Sequence, residues 1–264
     1  MAKKRLVVGN WKMYIEKPED AKTLSLILRR KLRGLTGVEV FVAPPLTMLT
    51  KISEIFESAP IHVGAQTISA HASGAHTGEV SGPMLKSAGA SFVIVGHSER
   101  RSGGDTEEMV RQQLELAIEA GLTPILCVGE EARRKEGVPD DGARDHFSFV
   151  EEQLSSALKS VPKNVLKKLI IAYEPVWAIG KSATDAMKPG ELQEMVIFIR
   201  RMLAELVDRE AALKIPILYG GSVEPENASS LIQEGGVAGF LVGHASAQAD
   251  SFLAIIEAAR LSSR

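Results

Sequence analysis

Residues 92–128 read FVIVGHSERRSGGDTEEMVRQQLELAIEAGLTPILCV, and this stretch decides the fold. Two short apolar runs, FVIVG (92–96) and LTPILCV (122–128), are continuous rather than alternating, which is typical of strands buried on both faces of a parallel sheet. The segment between them, residues 105–121, has helical periodicity. Asp105 and Glu108 have the spacing of a capping box, and Gly121 marks the end of the helix. The stretch therefore predicts a strand, a helix and a second, parallel strand.

The same pattern recurs along the whole chain. Further apolar runs are RLVVG (5–9), VEVFVA (38–43), IHVGA (61–65), KLIIAYE (168–174), IPILYGG (215–221) and VAGFLVG (237–243). Eight strand–helix units in 264 residues average about 33 residues each, with no linker between them. This predicts an α/β protein with a single (β/α)8 barrel domain over residues 1–264. An open doubly wound sheet is the alternative, but no G-x-G-x-x-G follows the first strand.

Composition limits the possible partners. The net charge is −2, so no basic surface for nucleic acid or an anionic membrane is expected. The apolar run near the N-terminus is too short for a signal peptide, and the single cysteine, Cys127, cannot form an internal disulfide, so a cytoplasmic location is expected. Four histidines, His62, His71, His76 and His146, do not have the spacing of metal ligands with Cys or carboxylates, and no nucleotide-binding motif stands out. We therefore expect neither a metal nor a cofactor.

In such a barrel the chemistry gathers where the strands end. The polar residues at these positions include Asn10, Lys12, Gln66, His97, Glu99, Glu174, Ser222 and His244. Glycine-rich turns after the seventh and eighth predicted strands can present backbone N–H groups to an anion. The combination predicts a site for a small anionic molecule with acid–base chemistry.

Several of these segments resemble the triosephosphate isomerase family. The matching segments are NWKM (10–13), VGHSERR (95–101), YEPVWAIG (173–180) and YGGSV (219–223), joined by SGAHTGE (73–79) and LCVGE (126–130). They occur in the order of the family and cover essentially the whole chain. The resemblance implies interconversion of dihydroxyacetone phosphate and D-glyceraldehyde 3-phosphate through an enediolate, by a homodimer that pairs through the loop at 71–79.

The resemblance also implies roles for individual residues. Glu174 is the expected base, neutral His97 the group that polarises the carbonyl, and Lys12 the charge that stabilises the enediolate. Asn10 and Glu99 are expected to position Lys12 and His97. The expected phosphate ligands are the backbone N–H groups of Gly180, Ser222, Gly243 and His244.

The sequence departs from the family at two places that bear on which sugar phosphate is the substrate. The family's lid has two more residues between the positions of Gly180 and Lys181, although Pro175-Val176-Trp177 and Lys181-Ser182-Ala183 still resemble its hinges. His244 stands where the family usually has a second glycine. A four-carbon sugar phosphate such as tetrulose phosphate is therefore an alternative substrate, and a binding protein without catalysis is a second alternative.

Overall fold

The eight apolar runs form eight parallel strands in a computed structural model, which describes residues 4–132, 145–159, 161–166, 168–180 and 186–262. The strands are β1 (Arg5–Asn10), β2 (Val38–Ala43), β3 (Ile61–Ala65), β4 (Phe92–Val95), β5 (Thr123–Val128), β6 (Ile170–Tyr173), β7 (Ile217–Tyr219) and β8 (Gly239–Val242). Each strand pairs with the next in chain order, and β8 returns to pair with β1. The predicted (β/α)8 barrel is therefore confirmed.

Helices cover the outside of the barrel. They are α1 (Pro18–Lys31), α2 (Leu49–Phe56), α3 (Gly82–Ser87), α4 (Ser98–Ser102), α5 (Glu107–Glu119), α6 (His146–Leu158), α7 (Lys163–Leu166), α8 (Pro189–Leu206), α9 (Arg209–Lys214), α10 (Pro225–Glu234) and α11 (Ala249–Leu261). Short 3-10 turns lie at Leu46–Met48, Val176–Ala178 and His244–Ala247. Within the described ranges, none of the helices has the length and apolar character needed to cross a bilayer.

The strands bury both of their faces, as their continuous apolar runs predict. Alternate strand residues such as Leu6, Val8 and Phe92 pack in a cluster made of strand side chains and their flanks. Their neighbours in sequence, such as Val7 and Val93, belong to a larger cluster that includes the helices. Two layers of apolar packing therefore hold the strand ends, and the side chains they carry, in fixed positions.

The start of α5 differs from the prediction. Its N-cap is Thr106, whose hydroxyl accepts a hydrogen bond from the N–H of Met109 at 3.2 Å. Asp105 does not cap the helix, because its carboxylate instead accepts hydrogen bonds from Arg100 at 2.8 Å and from Gln113 at 3.0 Å. The predicted end at Gly121 is confirmed, since the helix stops at Glu119 and Gly121 has φ +68°.

Candidate active site

One cavity of about 340 Å³ opens where the strands end, and it brings together every candidate residue. Its lining includes Asn10, Lys12, His97, Glu99, Glu174, Gly180, Ser222, Gly243 and His244. These residues lie at the ends of five different strands, β1, β4, β6, β7 and β8, so only closure of the barrel places them side by side. Gln66, which also follows a strand, does not line the cavity. Its side chain instead donates a hydrogen bond to the backbone of Lys12.

Lys12 is held in position from both ends. Its Nζ lies 2.7 Å from Oε1 of Glu99, and its backbone N–H donates to Oδ1 of Asn10 at 3.1 Å. The backbone of Lys12 has φ +45°, which is unusual for a residue other than glycine. Gln66 fixes this conformation, because its Nε2 donates to the carbonyl of Lys12 at 3.1 Å and to that of Ala43 at 3.0 Å.

His97 is the N-cap of α4 and is almost fully buried. Its Nδ1 accepts a hydrogen bond from the N–H of Glu99 at 3.2 Å. A nitrogen that accepts a hydrogen bond carries no proton, so this contact places the proton of a neutral imidazole on Nε2. Nε2 lies 3.3 Å from Oε1 of Glu174 and is therefore the donor that His97 presents toward the reacting centre.

Glu174 is a buried carboxylate at the end of β6, with 2% of the residue exposed. Its Oε2 accepts a hydrogen bond from the N–H of Ser98 at 2.9 Å, and its backbone N–H donates to the carbonyl of Val128 at 2.8 Å. Buried carboxylates without a fixed cation partner are rare in proteins and are typical of functional sites.

Two glycines leave the space that Glu174 occupies. A Cβ on Gly129 would lie 1.8 Å from the carbonyl oxygen of Glu174, and a Cβ on Gly220 would lie 2.8 Å from its Cγ. Contacts this short cannot form, so any larger residue at Gly129 would displace the backbone of Glu174. The position of the carboxylate therefore depends on glycine at the ends of β5 and β7.

The segment after Glu174 is anchored to the loop after β5. Glu130, which is 1% exposed, accepts hydrogen bonds from the hydroxyl of Tyr173 and from Nε1 of Trp177, each at 2.8 Å. The carbonyl of Glu130 accepts from the N–H of Val176 at 2.9 Å. The first expected hinge, Pro175-Val176-Trp177, is thus tied to a buried acid. The second, Lys181-Ser182-Ala183, lies outside the described residues.

The pKa values of Glu99 and Cys127 are shifted in opposite directions. Burial alone would raise the pKa of Glu99, but the hydrogen bond and positive charge of Lys12 outweigh it, so the pKa of Glu99 lies below its ordinary value. Burial and the nearby charge of Glu174 raise the pKa of the Cys127 thiol. Cys127 is fully buried, as its apolar strand predicts.

Three contributors to this region were missed by the sequence reasoning. Tyr14 and Glu224 line the cavity, and Glu130 anchors the hinge. Tyr14 lies two residues beyond Lys12 and Glu224 two beyond Ser222, so a search extended past the strand ends could have included them. Nothing in the sequence indicates that Glu130 contacts Trp177, since 47 positions separate them.

The loop at residues 71–79 is exposed along its whole length. Within it the rings of His71 and His76 stack with centroids 3.7 Å apart and an angle of 4° between the planes. Across the part of the chain that the structure describes, no three His, Cys, Asp or Glu side chains form a group that could hold a metal ion.

Comparisons with known proteins agree with this geometry. The family model described as "Triosephosphate isomerase" matches residues 5–259. Relatives with the same name include proteins from Geotalea uraniireducens, 41% identical over 96% of this chain and 98% of the relative, and from Carboxydothermus hydrogenoformans, 42% identical over 97% and 98%. A third, from Chloroflexus aurantiacus, is 42% identical over 95% of this chain and 97% of the relative. With this match along nearly its whole length, the chain belongs to the triosephosphate isomerase family.

Proposed function

We propose that this protein interconverts dihydroxyacetone phosphate and D-glyceraldehyde 3-phosphate, and that Glu174 moves the proton. The observation that carries the proposal is the geometry of Glu174 and His97, two buried groups whose Oε1 and Nε2 lie 3.3 Å apart at the cavity that also holds Lys12. A buried base beside a neutral donor suits proton abstraction next to a carbonyl group. The relatives give no support to the four-carbon alternative.

The reaction follows from these positions. The carboxylate of Glu174 removes a proton from the hydroxyl-bearing carbon next to the carbonyl of dihydroxyacetone phosphate, and the electron pair moves onto the carbonyl oxygen. Nε2–H of His97 donates to that oxygen, and Lys12 stabilises the negative charge of the enediolate. A proton then passes between the two oxygens through His97. Protonated Glu174 returns its proton to the neighbouring carbon and regenerates the carboxylate.

We assign the phosphate to the loop residues of the same cavity. Gly180, Ser222, Gly243 and His244 line it, and the backbone N–H groups of such loops are good phosphate donors. Asn10 and Glu99 act as positioning residues, because both hold Lys12 and the N–H of Glu99 also fixes the ring of His97.

A coupled assay tests the proposed reaction. Purified protein is expected to convert dihydroxyacetone phosphate to glyceraldehyde 3-phosphate, and Glu174→Gln is expected to lower kcat by roughly 10²- to 10⁴-fold, as for the loss of a general base. Glu191→Gln is a matched control, since Glu191 lies in the first turn of α8 and does not line the cavity. Full activity of Glu174→Gln would contradict the proposal.

We also infer that the chain acts as one domain, in the cytoplasm, and as a homodimer that pairs through the loop at 71–79. The loop supports this inference because it is exposed throughout and its two histidines stack in a fixed arrangement. Light scattering coupled to size exclusion is expected to give twice the 28.4 kDa of the chain. A molar mass equal to one chain at micromolar concentration would contradict the dimer.

A further inference from the structure

A pair of rings lies at the edge of the cavity, apart from the reacting groups. Tyr14 and His244 meet edge to face, with centroids 5.0 Å apart and planes at 76°. Tyr14 is 51% exposed and His244 is also exposed, and both line the cavity that holds Lys12 and Glu174. The reaction steps above use neither ring.

The position of His244 in the chain places it beside the proposed phosphate. Gly243 lies directly after β8, and a Cβ built on it would be 3.4 Å from Cε and 3.6 Å from Nζ of Lys12. The chain therefore passes close to the ammonium group of Lys12 immediately before His244. His244 follows at once and lines the same cavity as Lys12.

Glu224 adds a carboxylate to the same cavity. It is the N-cap of α10 and lines the same cavity. Burial raises the pKa of Glu224, while the positive charge of His244 acts against the rise and the negative charge of Glu226 adds to it. The other charged or titratable side chains that line the cavity are those of Lys12, Tyr14, His97, Glu99 and Glu174. His244 therefore shares the cavity with a carboxylate whose pKa it influences and with the ammonium of Lys12.

We propose that the side chain of His244 is a pH-dependent anion ligand of this site. As an imidazolium it contacts the phosphate dianion of the substrate, while Tyr14 supports the ring from its edge and Glu224 competes for the same charge. Histidine ordinarily changes its charge between pH 5 and 8. Because the protonated form makes a charge-assisted contact with the anion, the affinity for an anion that stays doubly charged rises as pH falls through this range, whereas a phosphate ester itself gains a proton at about pH 6. The inference rests on the proposed function, which places the phosphate here.

Sulfate is a suitable probe because it stays a dianion across this pH range, so any pH dependence belongs to the protein. Its binding is measured by titration calorimetry at pH 6 and pH 8 for the wild type, His244→Gln and His244→Lys. We expect the affinity ratio between pH 6 and pH 8 to be roughly three- to fivefold larger in the wild type than in His244→Gln, as for one partly exposed ion pair. His244→Lys should bind sulfate tightly at both pH values.

His62→Gln is the matched control. His62 is also an exposed histidine, but it stacks on Phe41 and does not line the cavity, so this variant should behave as the wild type. In the isomerase assay at pH 6, His244→Gln should raise KM, because the variant keeps the backbone N–H of this position but loses the side-chain contact with the phosphate.

Two outcomes overturn the inference: equal pH ratios in the wild type and His244→Gln, or no sulfate binding by the wild type. Either result can occur while the wild type still isomerises triose phosphate. Conversely, the wild type could show the expected pH dependence of sulfate binding and yet have no isomerase activity. That result would support His244 as an anion ligand and contradict only the proposed function. The two failures are therefore distinguishable.

Discussion

The backbone N–H of Ser98 donates a hydrogen bond to Oε2 of Glu174 at 2.9 Å. Ser98 is the first residue of α4, which follows β4. Glu174 directly follows β6 and precedes the lid segment, so the contact joins two strand ends. It holds the proposed base in a defined resting position. The other carboxylate oxygen, Oε1, is buried and has no hydrogen-bond partner among the described residues, so one oxygen of the proposed base is fixed and the other is available to a substrate.

Ser98→Pro tests this contact because proline removes the donor and fits the local backbone. Ser98 is the first helical residue, and His97 before it has ψ 140°, which a following proline tolerates. We expect the free energy of unfolding to fall by about 1.5–3 kcal/mol, because a buried carboxylate loses its hydrogen bond. Urea unfolding measures the change.

Ser98→Ala is the control for that experiment. It keeps the N–H and removes only a buried hydroxyl that has no hydrogen-bond partner among the described residues. Its stability should stay close to that of the wild type. Equal stability of the proline and alanine variants would show that the N–H of Ser98 does not stabilise Glu174.

Gly129→Ala should displace the proposed base through its backbone. The new Cβ would lie 1.8 Å from the carbonyl oxygen of Glu174, so one of the two segments has to move. We expect a loss of about 1–3 kcal/mol in unfolding free energy and a fall in kcat/KM of roughly 10²-fold. In Gly190→Ala the added methyl meets nothing within 4 Å, so that variant should be neutral or slightly stabilised, with full activity. Matching behaviour of the two variants would contradict the crowding at Gly129.

The backbone of Lys12 is in a conformation that is strained for a residue with a Cβ. With φ +45° it occupies the left-handed region, which costs a residue with a Cβ roughly 1–2 kcal/mol relative to glycine. Lys12→Gly and Lys12→Ala both remove the ammonium and should both lose substrate affinity. Only the glycine variant relieves the strain, so it should be more stable than the alanine variant by about 1 kcal/mol in urea unfolding. If the alanine variant were as stable as the glycine variant, the strain would be absent.

The ion pair between Glu99 and Lys12 predicts a pH dependence of stability with a definite sign. Because the folded protein lowers the pKa of Glu99, the stabilisation is complete above the pKa of the unfolded chain and is lost as pH falls through the folded value. The stability difference between wild type and Glu99→Gln should therefore be constant from about pH 8 to pH 5 and shrink below about pH 4. In a Lys12→Met background the pH dependence should lose this sign, because burial, which raises the pKa of Glu99, is then opposed only by the charge of His97. A difference that grows toward low pH would contradict the pair.

The sequence was sufficient for the barrel because each strand is buried on both faces and is therefore a continuous apolar run. It also located the candidate site, since polar residues directly after such runs must meet at one end of a closed barrel. Contacts between segments that are far apart in the chain could not be predicted from the sequence. The sequence predicts that Asp105 caps α5, but its carboxylate instead accepts hydrogen bonds from Arg100 and Gln113. The ring contact of Tyr14 with His244 joins the segments after β1 and β8, and no local pattern encodes it.

Exchange of the carbon-bound hydrogen of dihydroxyacetone phosphate with deuterated water tests the central claim most directly, because it reports proton abstraction without the later steps. Proton NMR follows the exchange with the wild type and with Glu174→Gln. We expect the wild type to catalyse exchange, and the variant to do so roughly 10²- to 10⁴-fold more slowly. Exchange at the wild-type rate in Glu174→Gln, or none in the wild type, would contradict the assignment of Glu174 as the base.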